Sequence, residues 1–438
     1  MPPAPPPPEP PPVAAAPAPT PEAIARAFID QVAAHDFAGA ESHFDDRMRD
    51  GLPVDKLAAA WTQVEQAAGA FTGVGAATTT EHDGIHVVAL DGQFGKIHLD
   101  LVIAIDADGR LGGFRIKPAS VAAAPWQAPP YVTPDAYVER AVTVGSSPPL
   151  PGTLTLPKGA GPFPAVVLVH GSGPADADET IGQVRVFADL AAGLASRGIA
   201  VLRYTKRSRV DTDPRSVRTQ RDEVEVAAHA AVALLAATPE IDPHRIVLAG
   251  HSQGGYLAPR IAAADPAIRA IAIMAGPTRS FEDSLLAQLR YLASLAPGDA
   301  KAAELATSAE AFKRAVEDPA LAADASVTLP IAGVTMPGAY FLDVRDYHPE
   351  AVAAKLAIPI AVIQGGRDYQ VTTADDLPGW QHALARRRNV KFFTYPALDH
   401  GLIAGTGPST PADYETVAHV DAQLVSDLAA WVLALPKR

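Results

Sequence analysis

One local signature limits the possible folds of this chain more than any other. Ile246-Val247-Leu248-Ala249 is an apolar run of strand length, Gly250-His251-Ser252-Gln253-Gly254-Gly255 follows at once, and a helix is expected from about Gly255 to Ala264. A Gly-x-Ser-x-Gly turn between a strand and a helix is so tight that a side chain at Gly250 or Gly254 would collide across it. The serine is then held in a strained backbone conformation, with its hydroxyl at the top of a sheet and the next helix aiming its N-terminus at it. The pentapeptide alone is also compatible with an ordinary turn. With both flanks in place it reads as a nucleophile elbow, with Ser252 as nucleophile.

A serine hydroxyl is a weak nucleophile and needs a base. His400, in Leu398-Asp399-His400-Gly401 just after the apolar run Val390 to Tyr395, is the best placed of the histidines. His170 ends a strand and His251 lies inside the elbow, and neither position suits a base. The base needs an acid to hold its tautomer. Asp368, in Gly365-Gly366-Arg367-Asp368-Tyr369-Gln370-Val371 after the strand Ile358 to Gln364, is favoured. Asp399 would have to bend back on its neighbour, and Asp375 and Asp376 fall within what looks like a helix. For an oxyanion hole, the Gln253 amide and one from Ser172 or Gly173, in His170-Gly171-Ser172-Gly173-Pro174, are the candidates. Tyr340, Phe341 and Tyr347 either line an acyl pocket or form the core of a lid. The basic cluster Lys206-Arg207-Ser208-Arg209 is compatible with a contact to an acidic substrate group, but reads rather as a solvated or salt-bridged loop.

Around this constellation the chain divides into segments. Residues 1–21 are nearly all Pro and Ala and read as an extended, disordered leader. Residues 22–118 read as a small α+β domain. Ala23, Ala27, Phe28 and Val32 fall at helical spacing, then come a short helix near Ala38 to Phe44 and a third through Leu57, Trp61, Val64 and Ala68. Four strands follow, with turns expected at Asp83-Gly84, Asp91-Gly92 and Asp108-Gly109. Residues 119–136 read as a linker, and residues 137–438 as an α/β domain. That domain begins with two antiparallel edge strands, Tyr137 to Val144 and Gly152 to Leu156, and continues as strands alternating with helices. Such a rhythm builds a parallel sheet with crossovers. Residues of about 277–350 interrupt it as an Ala-rich helical insertion expected to act as a cap.

Composition removes several function classes. The chain has 438 residues, a formal net charge of −13 and no Lys/Arg-rich block, which argues against nucleic-acid binding. It has no cysteine, so disulfides, thiolate nucleophiles and cysteine metal sites are excluded. No His-Glu-x-x-His or Walker-type loop is present, so neither a metal nor a nucleotide cofactor is expected. No apolar run is long enough for a transmembrane helix. The N-terminus lacks a basic n-region and an apolar h-region. The chain therefore reads as cytoplasmic, unless an export signal has been removed ahead of Met1, in which case it reads as periplasmic or secreted.

The residues His170-Gly-Ser-Gly-Pro174, Arg203-Tyr-Thr-Lys-Arg207, Gly250-His-Ser-Gln-Gly-Gly255, Met274-Ala-Gly-Pro277 and Gly365-Gly-Arg-Asp-Tyr-Gln-Val371 together resemble the EstD-type esterases, a branch of the α/β-hydrolase superfamily. The resemblance covers residues of about 137–438. It implies an α/β-hydrolase fold, the triad order Ser252, Asp368, His400, and hydrolysis of simple, usually short-chain, carboxylic esters without a cofactor. Where the family often shows Lys-Arg-Gly, this chain has Ser208 after Arg207, a departure that bears on that loop and leaves the triad untouched. Residues 22–117 resemble a domain of unknown function found ahead of such hydrolases, similar in layout to the nuclear-transport-factor-like cone.

The expected activity is a serine carboxylesterase acting on a small-molecule ester. A peptidase, acyltransferase or thioesterase on the same fold is the nearest alternative, because fold and triad do not separate these chemistries. A non-catalytic binding protein is the alternative from another class.

Overall fold

The computed structural model describes residues 19–82, 84–118, 125–211, 217–331 and 334–436. The expected Pro/Ala leader lies outside the described residues up to residue 18, and so do residues 119–124 of the expected linker. The chain divides into two compact units, Met1–Val121 and Ala122–Arg438.

In the first unit, helices α1 (Pro21–Ala33), α2 (Phe37–Glu41), α3 (Asp46–Gly51) and α4 (Val54–Ala68) precede strands β1 (Phe71–His82), β2 (Ile85–Phe94), β3 (His98–Ile105) and β4 (Leu111–Pro118). Thr20 accepts from the Ala23 amide and Pro21 supplies a helical φ, so α1 starts there. Its buried stripe is Ala25, Phe28, Ile29 and Val32, whereas Ala23 and Ala27 are exposed. The strands form an antiparallel sheet in the order β1-β2-β3-β4. Asp91-Gly92 makes no turn: it lies inside β2, with Gly92 opposite Leu99. A Cβ on Gly92 would stand 2.8 Å from the Leu101 side chain, so close packing uses this glycine, not a reversal of the chain.

The second unit opens with β5 (Tyr137–Val144), β6 (Leu150–Pro157) and β7 (Phe163–Val169). A short hairpin follows, β8 (Thr180–Ile181) and β9 (Val184–Arg185), then α5 (Val186–Ala195), β10 (Ala200–Tyr204), α6 (Arg207–Val210) and α7 (Val226–Ala236). Next come β11 (Ile241–His251), α8 (Gln253–Ala264) and β12 (Ile268–Met274). The rhythm is then interrupted by α9 (Phe281–Leu295), α10 (Ala300–Glu317), a hairpin of β13 (Ser326–Thr328) and β14 (Thr335–Pro337), and α11 (Gly338–Leu342). It resumes through α12 (Pro349–Lys355), β15 (Ile360–Gly365), α13 (Leu377–Leu384), β16 (Val390–Tyr395) and α14 (Ala422–Leu433). The interrupting helices have an apolar cluster of their own, with Leu285, Leu289, Phe312, Val316 and Phe341 at its centre.

The central sheet has eight strands in the order β16-β15-β12-β11-β7-β10-β6-β5. Pairings from β16 to β10 are parallel, and β6 and β5 join antiparallel. Both β5 and β6 are expected at the edge, but β6 is an inner strand between β10 and β5. Its burial of Leu154, Thr155 and Leu156 reflects partners on both sides, which a short apolar run does not reveal.

Alternation along the strands divides the core. Val167 and Val169 face a layer containing α7 and α8, while Val166 and Leu168 face α5 and α14. After β7 the chain passes through α5 to β10 on one side. After β11 it passes through α8 to β12 on the other side. The winding therefore reverses between β7 and β11. Open α/β sheets place their ligands at such a reversal, outside the carboxyl ends of the strands.

Candidate active site

The elbow stands at this reversal. Ser252 lies between β11 and α8 with φ 51° and ψ −114°, a conformation L side chains rarely adopt. The flanking glycines explain how the chain tolerates it. A Cβ on Gly250 would lie 2.1 Å from the Gly254 carbonyl oxygen, and one on Gly254 would lie 2.2 Å from that of Val169. The turn closes further through the Ser252 amide, which donates to the Met274 carbonyl at 2.9 Å. Gln253 opens α8, so its amide has no acceptor within that helix.

Two loops at the carboxyl ends of β15 and β16 bring Asp368 and His400 together. His400 Nδ1 lies 2.8 Å from Asp368 Oδ2, and both residues are buried. The other carboxylate oxygen of Asp368 accepts from the amides of Gln370 at 2.8 Å and Val371 at 2.9 Å. Two local backbone donors thus hold the carboxylate in one orientation toward the ring. The rejected alternatives are engaged elsewhere. Asp399 accepts from the Ile403 amide at 3.2 Å. Asp376 is fully buried and ties Thr278, Arg279 and Thr372 together.

The His400 loop is hooked to the elbow by a second buried pair, which no local sequence pattern signals. His251 Nε2 donates to the His400 carbonyl at 2.8 Å, and the two rings lie 4.8 Å apart. His251 Nδ1 stands 3.1 Å from Glu179, at the start of the β8–β9 hairpin. Burial disfavours the imidazolium, but the Glu179 charge and the His400 carbonyl outweigh it, and the His251 pKa is raised. Burial likewise opposes ionisation of Glu179, yet His251 and the Gly171 amide hold its carboxyl below the usual range. His170 is different: burial pushes its pKa down to about 4, and its neutral ring donates to the Asp176 carbonyl at 3.0 Å.

The loop after β7 carries Gly171, Ser172 and Gly173. A Cβ on Gly171 would be 3.1 Å from the Cβ of Ser252, so this loop lies directly against the elbow serine. The Gly171 amide donates to Glu179 Oε1 at 2.6 Å, and its carbonyl accepts from Lys206 Nζ at 2.7 Å. Of the two expectations for this cluster, Lys206 follows the salt-bridged one, but in the interior: it is 2% exposed and paired with Glu223 at 3.2 Å. Ser208, the departure noted in this stretch, donates to Glu223 at 2.6 Å. No local pattern around Lys206 announces this burial, because every acceptor comes from a distant segment.

The aromatic candidates divide by role. Phe341 is buried in the cluster of the interrupting helices and packs on Phe312 with centroids 5.4 Å apart, so it presents no free face. Tyr340 reaches the elbow: its hydroxyl donates to Glu223 at 2.6 Å and accepts from Gln253 Nε2 at 2.8 Å. Tyr347 is structural, with its ring edge-on to Tyr256 at 5.0 Å and its hydroxyl donating to the Tyr256 carbonyl.

The buried carboxyl of Asp399 yields a stability prediction. Burial, with Asp413 nearby, pushes its pKa up to about 6 from 3.8, against the lowering effect of the Ile403 amide. A carboxyl with a raised folded pKa loses stability as pH climbs from its unfolded to its folded value. Asp399→Asn keeps an acceptor for Ile403 and removes the buried charge. Its thermal midpoint is expected to exceed the parent's at pH 8, by up to about 3 kcal/mol of stability. The difference closes toward pH 4, and thermal melts across that range check it. An equal gain at pH 4 and pH 8 would contradict the charge explanation.

Among the described residues no group of His, Asp and Glu is arranged to hold a metal ion, and no helix is long and apolar enough to cross a membrane.

Comparison with known proteins places the chain. Residues 166–416 match the alpha/beta hydrolase family, and residues 25–114 match a family of proteins of unknown function, DUF3887. The esterase EstD of Thermotoga maritima is 34% identical over 407 residues, which span 93% of this chain and 94% of EstD. Among solved structures, Est1E of Butyrivibrio proteoclasticus with ferulic acid bound aligns with TM-score 0.45 and 16% identity, covering 67% of this chain and 100% of that one. A dienelactone hydrolase of Klebsiella pneumoniae aligns with TM-score 0.41 and 18% identity, covering 68% of this chain and 100% of that one. With more than half of its residues matched by the family and an EstD relative matched along nearly its whole length, the chain belongs to the alpha/beta hydrolase family.

Proposed function

We propose that this protein is a serine carboxylesterase that hydrolyses small carboxylic esters through an acyl-enzyme formed on Ser252. The observation that carries the reading is the buried Asp368–His400 pair, bound through His251 to the elbow that holds Ser252. The kinship with EstD supports the ester as substrate class.

In this reading His400 Nε2 takes the proton from Ser252 Oγ as the oxygen attacks the ester carbonyl. Asp368 keeps the remaining imidazole proton on Nδ1 and stabilises the imidazolium that forms. The tetrahedral oxyanion accepts from the backbone amides of Gln253 and Ser172, fixed donors that need no reorganisation as charge develops. The C–O bond to the alcohol breaks and His400 returns the proton to the leaving oxygen. Water then attacks the acyl-enzyme by the same route in reverse, releasing the acid and restoring Ser252.

The experiment pairs a fluorophosphonate probe with a substrate panel. The probe is expected to add its mass to the peptide containing Ser252. The p-nitrophenyl esters of acetate, butyrate and hexanoate are expected to turn over, and aminoacyl p-nitroanilides are not. A higher kcat/KM on the anilides would replace the esterase reading with the peptidase one. Absence of labelling in folded protein would favour the binding-protein reading.

A further inference from the structure

Lys206 is a buried cation whose protons are all committed. An ammonium carries three donors. They meet Gly171 O at 2.7 Å, Gln253 Oε1 at 2.8 Å and a Glu223 carboxylate oxygen at 3.2 Å. No proton remains for a substrate. What the three acceptors share is their position: Gly171 precedes one proposed oxyanion donor, Ser172, and Gln253 is the other. Lys206 thus joins the two halves of the proposed hole from behind.

We infer that Lys206, held in place by Glu223, is the positioning residue that aims the Ser172 amide at the developing oxyanion; this rests on the acyl-enzyme reading above. The argument is geometric. The carbonyl of Gly171 and the amide of Ser172 belong to one planar trans peptide, in which C=O and N–H point in opposite directions. A hydrogen bond that draws the Gly171 oxygen toward Lys206 therefore turns the Ser172 N–H the other way. Rotation of this peptide is opposed on its other flank, where the Gly171 amide is bound to Glu179 at 2.6 Å. The same loop is tied once more by the Lys206 backbone amide, which donates to the Ala175 carbonyl at 3.0 Å. On the elbow side, Lys206 holds the Gln253 side chain, whose Nε2 is also held by Tyr340 at 2.8 Å and Gln220 at 3.2 Å. The first residue of α8 is thereby fixed by its side chain, and its amide with it.

Glycine at 171 makes such an anchor necessary. With no Cβ the peptide has few steric limits of its own, and the nearest atom a Cβ would meet is that of Ser252. Side-chain packing cannot set the orientation of this peptide, so the hydrogen bond on its oxygen does, together with the one that holds the Gly171 nitrogen of the preceding peptide.

The test compares an oxoester with its thionoester in Lys206→Met and in the charge-neutral double variant Lys206→Met/Glu223→Gln. Oxyanion donors favour a developing O⁻ far more than the larger, weaker acceptor S⁻. A misaimed donor should therefore cost the oxoester about 10- to 100-fold in kcat/KM and the thionoester much less, with KM for the oxoester little changed. The oxoester-to-thionoester ratio is expected to fall at least tenfold. General loosening of the fold would lower both substrates together and leave the ratio alone. If the single variant fails to fold because Glu223 is left unpaired, the double variant decides. An unchanged ratio in a folded variant, with turnover still dependent on Ser252, overturns the role of Lys206 and leaves the esterase reading standing. Turnover that survives Ser252→Ala would instead remove the reading beneath it.

Discussion

Replacing Ser252 with alanine is expected to lower kcat for p-nitrophenyl butyrate by about a millionfold, with the thermal midpoint nearly unchanged. The loss is large because a triad acts as a unit: without the Oγ, His400 has no proton to take and Asp368 no imidazolium to stabilise. A residue of catalysis, about a thousandfold over water, should survive through the proposed oxyanion donors and substrate binding. The fold should tolerate the change, because alanine keeps the Cβ that already fits against Gly171. The strained φ of 51° at this position comes from the turn, and alanine inherits it. Steady-state kinetics at high enzyme concentration, beside a melting curve, check both halves. Turnover within tenfold of the parent, from protein free of contaminating esterase, would place the nucleophile elsewhere.

Asp368→Asn is expected to cost about ten-thousandfold in kcat while leaving KM and stability close to the parent. The hydrogen bonds of the carboxylate show why. One oxygen is claimed by the amides of Gln370 and Val371, which are donors and require an acceptor. Asparagine must therefore keep its oxygen on that side and turn its NH₂ toward His400 Nδ1. That nitrogen then has to be an acceptor, so the ring proton moves to Nε2. His400 would present an N–H, not a lone pair, to Ser252, and the base is lost by a change of tautomer without loss of packing. Asp368→Ala should lose comparable activity and also stability, because the Gln370 and Val371 amides would be left without an acceptor. If Asp368→Asn retained most of the parent's kcat, the orienting acid would have to be another residue.

Both predictions concern residues visible from sequence alone. Ser252 is marked by its glycines, and those glycines are required by contacts within a few residues of one another or with the adjacent strand. Asp368 and His400 each follow an apolar strand, and in a parallel sheet the residues after the strands gather at one end. Local periodicity therefore carried the outline of the sheet and brought Asp368 and His400 to the same edge. It failed where partners were distant. Asp91-Gly92 looked like a turn, yet Leu101 from the next strand packs against Gly92 and keeps it extended. β6 looked like an edge, yet β10 pairs with it from a later part of the chain.

The largest gap between sequence and structure lies in the polar groups behind the site. Lys206 lies in a basic tetrapeptide that reads as a solvated or salt-bridged loop; its ion pair is there, but buried, and nothing local marks Glu223 or Glu179. A charged residue is tolerated in the interior only when acceptors converge on it. Those on Lys206 come from Gly171, Gln253 and Glu223, separated along the chain and brought together only by the closing of the fold. Legible along the chain were the strand–turn–helix that strains Ser252 and the order Ser252, Asp368, His400. That information is local: it lies in the steric demands of a tight turn and the period of apolar residues. The tertiary structure alone decided which ionisable groups left water and which peptide planes they hold. Desolvation and its compensation depend on everything that surrounds a group in space, and a one-dimensional pattern does not contain that neighbourhood.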